Sequence, residues 1–239
     1  MKTLVYGMTA LLAASAIPTA ALADAIELGA ADIGSSYTVN FDGFSDGQTI
    51  DGLTGAITYT LTGITANSYV FDYSVQNTGS VDSRISSFAF NVDPDISSAS
   101  STGTFSYTTL DRTYPNGIGT VDVCFKGGSS NSCAGNSGGV STGDTGTGTL
   151  SLAFDPSAPQ PITLSDFYVR YQSISGVPGI GSASGAGTVT TSGGTPPGGS
   201  TGGTEVPEPG MLGLLGLGLV GLGFARSRRR PAPRRMALA

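Results

Sequence analysis

Histidine and tryptophan are absent from this 239-residue chain, cysteine occurs twice, and 17 acidic residues stand against 11 basic ones. Without histidine there is no Ser-His-Asp or Cys-His arrangement, no imidazole general base and no zinc site of the common kind. Carboxylates, tyrosines and a few cations remain as reactive material. That inventory permits two-carboxylate glycosidase chemistry, yet no pair of acids is marked out by its spacing. A role other than catalysis is therefore expected.

The two cysteines, Cys124 and Cys133, enclose Phe125, Lys126 and a run of glycine, serine and asparagine. An isolated, even pair in an exported chain predicts a disulfide closing this small loop. Loop-closure entropy puts such a ring at about 2 to 3 kcal/mol. A catalytic thiol is the sharper alternative, but only Lys126 stands nearby to lower a thiol pKa.

Asp42, Asp46 and Asp51, with glycines between them, offer oxygen ligands suited to Ca²⁺, although their spacing is not that of an EF-hand loop. Asp93 and Asp95 around Pro94, and Asp144 in a Gly/Thr loop, have the same character. Acidic turn residues more often cap backbone groups, so no metal is assigned and Ca²⁺ stays a weak candidate. Tyr69, Tyr73, Tyr107 and Tyr114 are the aromatics a carbohydrate-binding groove would use for stacking.

The most specific spacing lies near the end of the chain. Val206, Pro207, Glu208, Pro209 and Gly210 are followed by an uncharged run from Met211 to Ala225, then by Arg226, Arg228, Arg229 and Arg230. The two prolines hold Glu208 on extended backbone, open to a protease or transferase. A hydrocarbon-soluble segment closed by clustered arginines reads as a stop-transfer signal with the arginines on the cytoplasmic side. Fifteen residues rise only about 22 Å as a helix, against a hydrocarbon core of roughly 30 Å. A temporary membrane anchor is expected, followed by a basic cytoplasmic tail over residues 231–239.

At the other end, Lys2, the apolar stretch from Leu4 to Ile17, and Ala21, Leu22 and Ala23 supply the three regions of a secretory signal peptide over residues 1–23. Cleavage by signal peptidase after Ala23 would start the mature chain at Asp24. From Asp24 to Pro209 only Arg84, Arg112, Lys126 and Arg170 oppose all 17 acids. Such a body repels nucleic acid.

The elements that must carry these residues read as strands. Alternation puts Tyr37, Val39 and Phe41 on one face, then Ile57, Tyr59 and Leu61, then Tyr69, Phe71, Tyr73 and Val75. Further runs follow at Ile85 to Val92, Thr104 to Leu110, Val121 to Phe125, Leu150 to Phe154 and Ile162 to Tyr171. Asp42-Gly43, Asp46-Gly47 and Asp51-Gly52 read as turns. About eight strands without an amphipathic helix predict an all-β domain over residues 24–171, an antiparallel β-sandwich. Residues 172–205 hold too little apolar area to offset ordering entropy, so a Gly/Ser/Thr/Pro linker spanning roughly 30 Å is expected there.

Pro207, Glu208 and Pro209, the short apolar segment and the arginine cluster resemble the PEP-CTERM sorting signal over residues 206–230. The resemblance implies recognition by an exosortase, an integral-membrane cysteine transpeptidase that removes the tail. It also implies export through the inner membrane, transient anchoring, and release to the cell surface or outside, with exopolysaccharide as a partner. Val121 to Gly128 with Ser132 to Gly135, and Phe167 to Ile174, are similar to the paired-cysteine cistern subgroup of such proteins. That subgroup brings no activity with it. A structural or adhesive surface protein is the expected function, with a carbohydrate- or calcium-binding module and a carboxylate-dependent secreted hydrolase as alternatives.

Overall fold

A computed structural model describes residues 25–135 and 137–190. Its first strands are β1 (Ile26–Leu28), β2 (Ser36–Ser45), β3 (Gln48–Ile64) and β4 (Ser68–Gln76). Then come β5 (Arg84–Asp93), β6 (Ser98–Ser101), β7 (Tyr107–Tyr114) and β8 (Gly119–Lys126). The last four are β9 (Val140–Ser141), β10 (Thr145–Ala153), β11 (Ile162–Gln172) and β12 (Ser182–Thr190). Two short 3-10 turns complete the described residues, which contain no α-helix.

These strands form one antiparallel sheet in the order β6-β10-β4-β3-β2-β12-β11-β5-β8-β7, with β1 on β11 and β9 on β5. The two end strands, β6 and β7, are consecutive in the chain and touch, joined through the turn Gly103–Phe105. The sheet therefore curls almost full circle into a barrel-like shell. The all-β expectation holds; the sandwich of about eight strands does not. The alternation was informative about faces but silent about closure, which is set by bulges and by strands too small-sided to show a pattern.

Inside the curl, Tyr59 of β3 meets Phe90 of β5 and Phe167 of β11 with ring centroids 5.8 Å apart in both cases. Phe88 stacks on Phe125 at 5.0 Å and meets Phe105 edge-on at 5.2 Å. Each fully buried ring of this kind stabilises the fold by about 1.5–3 kcal/mol. On β3 the alternation works as read: Ile57, Tyr59 and Leu61 are buried, while Thr58 and Thr60 face outward to hydroxyls of Thr38 and Ser36 across the strand pair.

Of the three expected Asp-Gly turns, only one reverses the chain. Asp46 and Gly47, with φ of 49° and 75°, form the two-residue connection between β2 and β3, where both central residues need positive φ. Asp42 and Gly43 lie within β2 at a bulge against β3. Asp51 and Gly52 lie within β3, and the Gly52 carbonyl accepts from the N–H groups of Ser80 and Val81.

The expected linker also needs correction. Its residues 182–190 are β12, paired with β11 on one side and β2 on the other. Ala183, Ser184 and Gly185 are buried although none carries a large side chain. The backbone ladder holds this strand, and its small residues make room for the bulky ones of its neighbours. The folded body thus extends to residue 190 rather than stopping at 171.

Candidate functional site

Between β8 and β9 the chain makes a glycine-rich excursion over residues 127–139 before returning to the same neighbour. Both β8 and β9 pair with β5. The excursion's described residues, 127–135 and 137–139, lie directly on the β5 backbone as a strap. Gly127 N–H donates to the Ser86 carbonyl at 3.1 Å, and a Cβ on Gly135, whose φ is 60°, would come within 2.7 Å of that same oxygen. Only glycine permits that approach.

Side chains from below tie the strap down through its carbonyls. Ser86 Oγ donates to Ala134 O at 3.1 Å, Ser87 Oγ to Cys133 O, and Gln172 Nε2 to Ala134 O. Arg84 donates to Gly138 O, and Lys126 Nζ to Ser130 O. Beneath lies a second small apolar cluster, Ala89, Tyr114, Val121, Cys124 and Cys133, separate from the barrel core. Ala89 sits between inward-facing Phe88 and Phe90, so strand alternation points it outward, under this roof.

Cys124 and Cys133 are both fully buried and are not bonded to each other in the structure. Both belong to that cluster, and the hydroxyl of Thr109, the residue paired with Cys124 across β7 and β8, lies 3.8 Å from Cys133 Sγ. Burial pushes the Cys124 thiol well above its ordinary value. The hydrogen bond from Cys124 holds Cys133 below its own, aided by the Thr109 hydroxyl and the charges of Lys126 and Arg112, against the opposing effect of burial. Lys126 is 1 % exposed and acts electrostatically on both sulfurs.

Arg170 is buried nearby, its guanidinium donating to Ser182 and Ser184 hydroxyls while its Nε has no hydrogen-bond partner among the described residues. Arg84, Arg112, Lys126 and Arg170 are all the cations among the described residues. Each contacts the strap or acts electrostatically on the cluster under it. Sequence reasoning found the cysteines but not this gathering, because the four cations come from four different strands.

The other candidates fare differently. Asp42, Asp46 and Asp51 are spread along the β2–β3 hairpin, and among the described residues no group of three or more acids or cysteines is placed to hold a metal ion. Tyr69, Tyr73 and Tyr114 are buried; only Tyr107 is exposed, so no aromatic groove for sugar exists in the form expected. Tyr69 and Tyr73 donate instead to the Pro159 and Thr102 carbonyls, each at 2.7 Å, and so act as internal ties.

Asp95 does share a groove of about 360 Å³ with two acids that the sequence had not marked, Asp111 and Asp122. Asp122 is committed there: its carboxylate accepts from Val92 N–H at 2.7 Å and its own N–H donates to Asn91. The cross-strand position of Asp111 and Asp122 appears only once β7 and β8 are paired in register.

The signal-peptide residues Ala21, Ala23 and Asp24, the motif Val206 to Gly210, the apolar run and Arg226, Arg228, Arg229 and Arg230 lie outside the described residues. Among the described residues no helix is long and apolar enough to cross a membrane. For the C-terminal region the deciding observation is a comparison: a family model described as the PEP-CTERM protein-sorting motif matches residues 205–230. The chain carries a PEP-CTERM sorting signal. The match spans the Pro-Glu-Pro motif, the apolar run and the arginine cluster, starting one residue before the expected boundary. A PEP-CTERM signal implies an exosortase-sorted protein, secreted with a transient C-terminal anchor and then extracellular or at the surface. No curated protein and no solved structure matches the chain.

Proposed function

We propose that the barrel is a non-catalytic structural or adhesive module, which a PEP-CTERM signal delivers to the cell surface or extracellular matrix. The match over residues 205–230 carries this reading. The barrel supports it from the other side. Its interior is occupied by rings in mutual contact, and Tyr69, Tyr73 and Tyr114 are spent on packing and internal hydrogen bonds rather than displayed. The groove of Asp95, Asp111 and Asp122 uses Asp122 to complete the sheet.

In this account signal peptidase removes residues 1–23, and an exosortase-like transpeptidase reads Pro207, Glu208 and Pro209 and detaches the basic tail. Matrix exopolysaccharide is the proposed partner of the released body, whose acidic surface keeps it soluble until it is placed. The cistern resemblance rests on the two cysteine segments and the β11 segment alone, and it labels the barrel without adding an activity.

The test is a variant with Pro207, Glu208 and Pro209 replaced by alanine, expressed in a host with an exosortase. Loss of the extracellular form, with the tailed protein accumulating in the inner membrane, is the expected result. Normal release of the variant, or identical release from a strain lacking the transpeptidase, refutes the proposal.

A further inference from the structure

The shared cluster of Cys124 and Cys133, their complete burial, and the strap that roofs them point to a covalent device. We propose that the pair is a preorganised oxidation site, where a disulfide donor closes a Cys124–Cys133 bond that locks the strap over residues 127–139 onto β5. The oxidising compartment this requires rests on the export reading; the geometry does not.

Two features prepare the closure. Lys126, two residues after Cys124, reaches forward to the Ser130 carbonyl and so folds the intervening loop back on itself. Ser87 and Ser86 hold the far side of the loop at the Cys133 and Ala134 carbonyls. The reduced chain thus already places both cysteines in one buried cluster, and much of the ordering cost of closing the ring is met by the fold.

The step is a thiol–disulfide exchange. One cysteine thiolate attacks the disulfide of an oxidising dithiol protein, or of glutathione disulfide, forming a mixed disulfide and releasing one thiolate of the oxidant. The second cysteine sulfur then displaces the remaining oxidant thiolate, so one S–S bond forms and one is broken. Two electrons pass to the oxidant, and the two cysteine protons end on its thiols. Since neither sulfur is exposed in the seated strap, exchange takes place before the strap settles. After that the bond is shielded from reductants.

The experiment compares the purified full-length chain, in detergent, with a linear peptide spanning residues 122–135 in glutathione buffers of graded reduced-to-oxidised ratio, read by thiol alkylation and intact mass. A disulfide closing a loop of this length is worth about a hundredfold in the folding equilibrium. By linkage the folded chain must then retain its bond at a ratio about a hundredfold more reducing than the peptide does. Equal midpoints for chain and peptide, or glutathione on both cysteines without ring closure, overturn the proposal.

A second readout guards against misfolding. In the Cys124→Ser/Cys133→Ser variant, far-UV circular dichroism reports the barrel and limited proteolysis reports the strap. An intact barrel with strap cleavage about tenfold faster than in the oxidised chain is expected; equal cleavage rates contradict the lock. Because this test is run in vitro, a failed export reading leaves its outcome unchanged, and a failed lock leaves export unchanged.

Discussion

Gly185 of β12 leaves no room for a side chain against Val169 of β11: a Cβ at position 185 would lie 2.8 Å from Val169 Cγ2 and 3.0 Å from the Tyr171 ring. Gly185→Val should therefore destabilise the barrel by about 1–3 kcal/mol through overpacking. Gly181, just before β12, has nothing within 4 Å, and Gly181→Ala should be close to neutral. Urea unfolding of the two variants checks this. Equal, negligible effects would return residues 182–190 to the linker that their composition suggests.

That contrast shows where the sequence was legible. The large-residue strands announced their faces by alternation, and Tyr59, Phe71, Phe88 and Val123 all point inward as their periodicity required. β12 was invisible because its contribution is backbone pairing and the absence of bulk, which composition cannot tell from a linker. β1 and β9 are too short to carry a period. The Cys124 and Cys133 pair was readable from spacing. The cations around it were not, since their meeting depends on the register of β5, β7, β8 and β11.

Tyr59 is fully buried in the barrel, and its hydroxyl has no hydrogen-bond partner among the described residues. Tyr59→Phe removes an unsatisfied polar atom while keeping the ring contacts with Phe88, Phe90 and Phe167. A gain of about 1 kcal/mol is expected. Differential scanning calorimetry reads it as a higher Tm; a lower Tm would mean that the hydroxyl is bonded.

Burial raises the phenols of Tyr59, Tyr114 and Tyr171 above their ordinary value of 10.0. For groups that stay protonated in the folded state, stability is fully present below the unfolded value and is lost as pH rises beyond it. Three such groups set a slope of about 4 kcal/mol per pH unit above pH 10. Unfolding followed by tyrosinate absorbance should be cooperative in that range, with the slope reduced by about a third in Tyr59→Phe. Gradual ionisation without unfolding would show that these rings are reachable by water.

Asp122 separates a structural acid from a catalytic one. Asp122→Ala leaves the Val92 N–H without its acceptor and should cost about 1–3 kcal/mol in urea unfolding. Asp111→Asn, in the same groove, should leave stability within about 0.5 kcal/mol of the parent. If Asp111→Asn instead abolished hydrolysis of a matrix polysaccharide by the parent chain, the groove would be an active site.

The central claim is that the chain is trimmed at both ends on its way out of the cell. Intact mass of the protein recovered from the medium or the cell surface measures both ends at once. The account predicts a species starting at Asp24 and lacking Arg226, Arg228, Arg229, Arg230 and everything after them. A mass that still contains Ala239 would contradict it and make the C-terminal segment a permanent anchor.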